Sequence, residues 1–284
     1  MTVSSRSGDR QPLVLAAGTL GTYDLAERID AASAAGFSGL GLRPEDYTIA
    51  RDNGWSDADM RSLLDDAGLS VVELQSVHGW AGHEDERARG SEIEQGCYAI
   101  ADALGADYMM VSNTTLACEW DEAVSRFGGI CDRAATHGLG VAIEFLPWGP
   151  VPDAATAWRL VSESGAPNAG VLVDSWHHFR GASDDDMIRS IPADRIMAVQ
   201  IDDALAEPIG SLYDDTRHRR LPAGHGDLDL VGFVQLLDQH GVDAPWSVEI
   251  LSDEQRALPP LEGARLAADT TWELLAEARS GIRR

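Results

Sequence analysis

Three observations predict an α/β chain folded as a single (β/α)8 TIM barrel. Short apolar segments recur along the sequence, each followed by a stretch with apolar residues at helical spacing, the alternation that builds a parallel sheet wrapped in helices. The 284 residues suffice for one large core, and no low-complexity linker divides them. Four of the apolar segments end in a carboxylate or an amide, and a barrel gathers its function at the carboxyl ends of its strands. An open doubly wound sheet is the competing fold. The patterns GxxxxGK[ST] and GxGxxG after a strand are missing, which counts against nucleotide-binding enzymes.

Taken in order, Leu13 to Ala17 is the first strand, and Asp24 to Ala35 is helical with Gly36 as its stop. Phe37 to Leu42 is the second strand. Ser56 caps a helix through Ala67, with Asp57 and Asp59 in the first turn where they complement the helix dipole, and Gly68 closes it. Leu69 to Val77, rich in Val, is the third strand, before an acidic helix from Glu84 to Leu104. Ala106 to Val111, Leu139 to Phe145 and Val171 to Asp174 are strands four to six, separated by helices over Glu119 to His137 and from Asp153 to about Glu163. A short helix from Asp184 to Ser190 leads into strand seven, Ile196 to Ile201. Leu228 to Gln239 then leads into strand eight, Trp246 to Ile250, and Leu261 to Arg279 is a closing helix. The connection from Asp202 to Asp227 is long enough to act as a lid or a subunit contact. Residues 1 to 12 are polar, lack the apolar core of a signal peptide and are read as a disordered segment ahead of one catalytic domain at 13–284.

Charge narrows the partners. Lys plus Arg is 22 against 47 Asp plus Glu, a formal charge of -25, which repels phosphate backbones and anionic membrane surfaces. Neither nucleic acid nor membrane is an expected partner; a small molecule is. The three cysteines, Cys97, Cys118 and Cys131, have no paired spacing, which fits a reducing cytoplasm. Barrels often pair, so a homo-oligomer is compatible with the sequence.

The residues that carry chemistry stand at four strand ends. Val141-Ala142-Ile143-Glu144, Gly170-Val171-Leu172-Val173-Asp174, Ile196-Met197-Ala198-Val199-Gln200 and Trp246-Ser247-Val248-Glu249 each finish an apolar run with a carboxylate or amide. Any one of these groups could simply cap a helix or pair with an arginine. Together they crowd several carboxylates at one end of a sheet, and a cation is the natural compensation for that repulsion. Glu144, Asp174, Gln200 and Glu249 are therefore the expected metal ligands. An oxygen-rich, thiolate-free set suits one Mn, Mg or Co ion better than structural zinc. His177, three residues after Asp174, is read as a polar partner that hydrogen-bonds substrate or takes a proton, and His178 as structural. Trp148 and Trp176 fit a pocket wall, although core packing explains any single tryptophan equally well.

This arrangement of Glu, Asp with His three positions on, Gln and Glu resembles the xylose isomerase-like barrel superfamily, with matched spacing over residues 139–255. The resemblance implies sugar isomerase, ketose 3-epimerase, inosose dehydratase or 3-dehydroshikimate dehydratase chemistry with a single divalent ion. Gln200, the run Ala142 to Gly149, and Arg217-His218-Arg219-Arg220 before Gly224-His225-Gly226-Asp227 are most similar to the bacterial 3-dehydroshikimate dehydratases. Three features depart from the pattern. His225 stands where Glu or Gln is usual, Arg43 stands where many relatives have an acid, and Ser76-Val77-His78-Gly79-Trp80 lacks the basic residue expected to meet a substrate carboxylate. These loops bear on the substrate and not on the metal.

A cation with open positions binds a carbonyl and a neighbouring hydroxyl and eases removal of the proton on the adjacent carbon, giving an enediolate. Glu144, Glu249 or His177 is the expected proton acceptor. Arg217, His225 and His78 are expected to touch substrate. The leading expectation is a metal-dependent isomerase or epimerase of a sugar, cyclitol or other hydroxy-ketone in carbohydrate metabolism, and the alternative is a dehydratase (lyase) in which a β-hydroxyl leaves. A multi-zinc endonuclease of the same superfamily lacks its basic surface here, and a non-catalytic barrel is the remaining class.

Overall fold

The computed structural model describes residues 12–281. The expected disordered N-terminal segment therefore lies, apart from Pro12, outside the described residues. Eight parallel strands close into a barrel in sequence order: β1 (Leu13–Leu15), β2 (Gly39–Leu42), β3 (Ser70–Val77), β4 (Tyr108–Val111), β5 (Gly140–Glu144), β6 (Ala169–Asp174), β7 (Ile196–Ile201) and β8 (Trp246–Val248). Pairing of Leu13 with Trp246 and Leu15 with Val248 seals the ring between first and last strands. Between them run α1 (Leu25–Ala34), α2 (Pro44–Asp52), α3 (Asp57–Ala67), α4 (Glu84–Leu104), α5 (Trp120–Thr136), α6 (Ala154–Ser164), α7 (Ser175–Arg180), α8 (Asp185–Arg189), α9 (Leu212–His218), α10 (Leu230–His240) and α11 (Asp253–Arg256), with α12 (Pro260–Ser280) closing the chain. No described helix is long and apolar enough to cross a membrane.

Local chemistry accounts for most boundaries. Ser56 and Asp59 exchange hydrogen bonds as a capping box at the start of α3, and Gly68 ends it at φ 70°, a left-handed conformation that a β-carbon would penalise. Asp24 and Glu27 make the same box on α1. Four helices were not foreseen from periodicity: α2, α7, α9 and α11 span 4 to 9 residues, too short to display a repeating apolar stripe. Each lies in the connection that follows a strand's carboxyl end, and α2, α7 and α9 contribute side chains to the cavity at the barrel mouth.

The core has two layers. Leu, Ile, Val, Phe and Ala from the outward faces of the strands pack against the helices. A smaller cluster of Val14, Val72, Tyr108, Met110, Ala142, Leu172 and Ala198, joined by Met197, fills the barrel interior. At Gly170 a β-carbon would lie 2.6 Å from Arg195 O and 2.2 Å from Met197 Cγ, so the absence of a side chain is what lets Met197 fill the barrel floor. Gly170→Ala should cost roughly 1–3 kcal/mol through overpacking, measured as a lower urea midpoint at unchanged slope.

Candidate active site

The register of β5 to β8 brings four of the expected side chains to one end of the barrel. Glu144 and Asp174 are the last residues of their strands, Gln200 pairs with Asp174 across β6 and β7, and Glu249 follows β8 directly. All four are buried. The amide of Gln200 presents one terminal atom 3.3 Å from Glu144 Oε1 and 3.1 Å from Asp174 Oδ2. With nitrogen at that corner, Gln200 donates two hydrogen bonds. With oxygen there, it stands from the two carboxylate oxygens about as far as neighbouring ligands of an octahedral ion, roughly 3.0 Å for bonds of roughly 2.1 Å, a spacing that a cation between them would stabilise. The donor set thus fits a hard or borderline divalent ion.

His177 completes a metal-competent group, since one ligand atom each from Glu144, Asp174 and His177 lies within 4.8 Å of the others. Its Nε2 is 3.3 Å from Glu144 Oε1, while its backbone N–H donates to Asp174 Oδ1 at 2.9 Å. Asp174 therefore both caps α7 and turns its other oxygen to the site. Glu249, expected as the fourth ligand, is not part of that group: Gln75 Nε2 donates to its Oε1 at 2.6 Å, and Arg220 Nη1 donates to its Oε2 at 3.3 Å.

Arg220 is the residue that sequence reasoning missed. Its guanidinium, 1% exposed, donates to Asp174 Oδ2 at 2.8 Å and to Asp202, and Nη2 binds Thr216 Oγ1 at 2.8 Å, above the ring of Trp176. Burial works against its charge, yet Asp174, Asp202 and Glu249 outweigh burial and hold it above the ordinary arginine value. One guanidinium cannot neutralise Glu144, Asp174, Asp202 and Glu249 together. Burial accordingly pushes the Glu249 carboxyl up to about 7, with Glu144 and Asp174 adding to the rise, and holds Asp202 well above the carboxylate range. Asp174 goes the other way, because Arg220 and His177 overcome its burial. Beneath them Glu73 is pushed up to about 8, by burial first and then by Glu249, and it accepts from Gln75 Nε2 at 2.9 Å and Tyr108 OH at 2.8 Å.

A cavity of about 420 Å³ opens above this pole, within the usual size of a small-molecule site. Glu144, His177, Glu249, His78, Trp148 and Arg217 line it, as do Arg43, Gln75, Tyr213 and Arg220. Two residues expected to touch substrate lie elsewhere. Trp176 is wholly buried behind the wall, edge-on to Trp148 and His177. His225 is exposed outside the cavity, on a turn whose backbone is drawn inward by Asp203, which accepts from the N–H groups of Gly224, Gly226 and Leu228. That same carboxylate pins the long connection after β7, and α9 within it delivers Tyr213, Thr216 and Arg217 to the cavity.

With the geometry in hand, comparisons with known proteins give a consistent answer. The family model described as xylose isomerase-like TIM barrel matches residues 29–272. The chain is similar to the 3-dehydroshikimate dehydratase of Pseudomonas aeruginosa, 31% identical over 240 residues, covering 83% of this chain and 37% of that protein. It is also similar to the inosose isomerase of Halalkalibacterium halodurans, 29% identical over 151 residues and covering 52% of each. Among solved structures, the IOLI protein with a bound zinc atom superposes at a TM-score of 0.84 and 20% identity, over 94% of this chain and 99% of that one. The chain spans under two fifths of the length of the 3-dehydroshikimate dehydratases that it matches.

The charge balance generates two expectations for metal-free protein. Arg220→Met leaves buried carboxylates uncompensated and should cost roughly 3–5 kcal/mol in urea unfolding. The folded protein keeps Glu73 protonated up to about pH 8, whereas the unfolded chain releases that proton near its ordinary value of 4.5, so the contribution of Glu73 to stability falls as pH rises between the two. Glu73→Gln, which cannot titrate, should therefore gain on the wild type by roughly 2–4 kcal/mol more at pH 8 than at pH 5 in paired urea titrations.

Proposed function

Because the chain belongs to the xylose isomerase-like TIM barrel family, we propose that it is a divalent-metal-dependent enzyme that removes a proton next to the carbonyl of a hydroxy-ketone, a sugar-like or cyclitol-like substrate. The observation that carries this reading is the meeting of Glu144, Asp174 and Gln200 at 3.1–3.3 Å in a site with more carboxylates than the ion-paired guanidinium of Arg220 offsets. Glu144, Asp174 and Gln200 would hold the ion, with His177 or Glu249 beside it. When bound, the ion supplies polarisation of the ketone and of its neighbouring hydroxyl.

The chain's own residues do the rest. Glu249 faces the cavity and is held on one oxygen by Gln75 and on the other by Arg220, so it is steered toward substrate without being consumed by a single partner. In this reading it accepts the proton from carbon. His177 lines the cavity with Nε2 3.3 Å from Glu144 Oε1 and 3.4 Å from Arg220 Nη2, and this ring edge is suited to meet a substrate hydroxyl. Trp148 and Leu146 close the wall and keep water from the reacting carbon.

Return of the proton to another carbon or face makes an isomerase or epimerase, and loss of a β-hydroxyl makes a dehydratase. The chain is similar to proteins of both classes, to 3-dehydroshikimate dehydratases over 83% and 84% of its length and to inosose isomerases over about half, so the outcome is a matter for experiment. Purified protein should carry about one divalent ion per chain by elemental analysis. Manganese-loaded protein should exchange ketone α-hydrogen into heavy water, and a new conjugated ultraviolet chromophore accompanying exchange identifies the dehydratase. Glu144→Gln and Glu249→Gln should each lower turnover by about 100-fold or more with unfolding temperature retained, and full activity in the double variant would remove the site.

A further inference from the structure

Beside the metal pole, the cavity carries two guanidinium groups that form no ion pair with a protein acid among the described residues. Arg43, at the end of β2, is half-buried, and no hydrogen bond or ion pair to its side chain occurs among the described residues. Asp46, three residues on, is already engaged: its Oδ1 takes Arg28 Nη1 at 2.9 Å and its Oδ2 takes the backbone N–H of Arg43 at 2.8 Å. The side chain is nonetheless held in place. It passes over Gly18, where a β-carbon would lie 2.8 Å from Arg43 Nη2 and 2.4 Å from Leu251 Cδ2, so this glycine is what admits the guanidinium to the cavity. Arg217, on α9, sits at the rim with its guanidinium 5.3 Å from the ring of Tyr213, also without an acid partner among the described residues. The two share one electrostatic neighbourhood, since after burial both lower the pKa of Arg256. Of the acids of the cavity, Glu45, Glu144 and Glu249, none forms an ion pair with either, although Arg43 is near enough to Glu249 to favour its charged form without a hydrogen bond to it.

In a chain of net charge -25, two unpaired arginines facing one cavity mark a place for an anion. We propose that Arg43 and Arg217 grip a carboxylate on the substrate, so that the ketone enolised at the metal pole is a hydroxy-ketone acid and not a neutral sugar or cyclitol. This assignment rests on the enolising pole proposed above. The planar fork of a guanidinium matches a carboxylate through paired hydrogen bonds. A phosphate would instead favour backbone N–H groups in the loops after strands seven and eight, and those of Gly224, Gly226 and Leu228 are taken by Asp203.

Calorimetric titration of manganese-loaded protein with 3-dehydroshikimate, its methyl ester and an inosose tests the assignment. Expected is binding of the acid at least about ten-fold tighter than of the ester, with Arg43→Gln and Arg217→Gln each weakening the acid about ten-fold or more and removing its advantage over the ester. The assignment is overturned if the ester or the inosose binds wild type as tightly as the acid, or if both variants bind the acid unchanged. Hydrogen exchange of the bound ketone into heavy water is read in parallel. Its absence with binding intact counts against enolisation and leaves the arginine pair standing.

Discussion

The buried guanidinium of Arg220 is the interaction on which the site depends. Placing Asp174, Asp202 and Glu249 on adjacent strand ends in a water-poor pocket is costly, and one positive charge hydrogen-bonded to all three makes the arrangement tolerable without fully balancing it. The remaining deficit is useful. It gives a divalent ion an electrostatic reason to enter, and it keeps Glu249 near the middle of the pH range where a carboxyl exchanges protons readily. Because Asp174 shares one oxygen with Arg220 and the other with the first turn of α7, its orientation is fixed before any ion arrives.

The barrel supplies the geometry. Parallel strands in unbroken order put their carboxyl ends on one rim, and pairing of Asp174 with Gln200 across β6 and β7 brings their side chains within 3.1 Å. Below that rim the interior continues as a polar column in which Glu73, Gln75 and Tyr108 connect the floor to Glu249 through direct hydrogen bonds. The column positions Glu249 from underneath, while Arg220 holds it from the side.

Much of this was legible in the sequence, for physical reasons. Buried parallel strands read as apolar runs, and a charged residue at the end of such a run has few places to be except the rim, which is why Glu144, Asp174, Gln200 and Glu249 stood out. Arg220 did not, because it lies in a run of basic residues, Arg217 to Arg220, where only folding of α9 decides which guanidinium turns inward; its neighbour Arg219 is exposed. A signal for Asp202 and for the Glu73–Gln75 pair did exist. Asp202 is two residues past Gln200, and Glu73 and Gln75 are two apart within an otherwise apolar strand, the spacing that puts side chains on one face. His225 misled because its glycine-flanked turn looks like a site loop, while the backbone contacts to Asp203 that turn it away leave no trace in local sequence.

The staple formed by Asp203 has a consequence for how such a protein diversifies. A connection of this length, anchored at one carboxylate to three backbone amides, is a rigid bracket, and α9 is mounted on it like an interchangeable jaw. Tyr213 and Arg217 on that jaw can be exchanged for other side chains without disturbing the strands that hold Glu144, Asp174 and Gln200. Evolution can thus retarget the mouth by point substitution alone, leaving the oxygen-rich pole inherited intact.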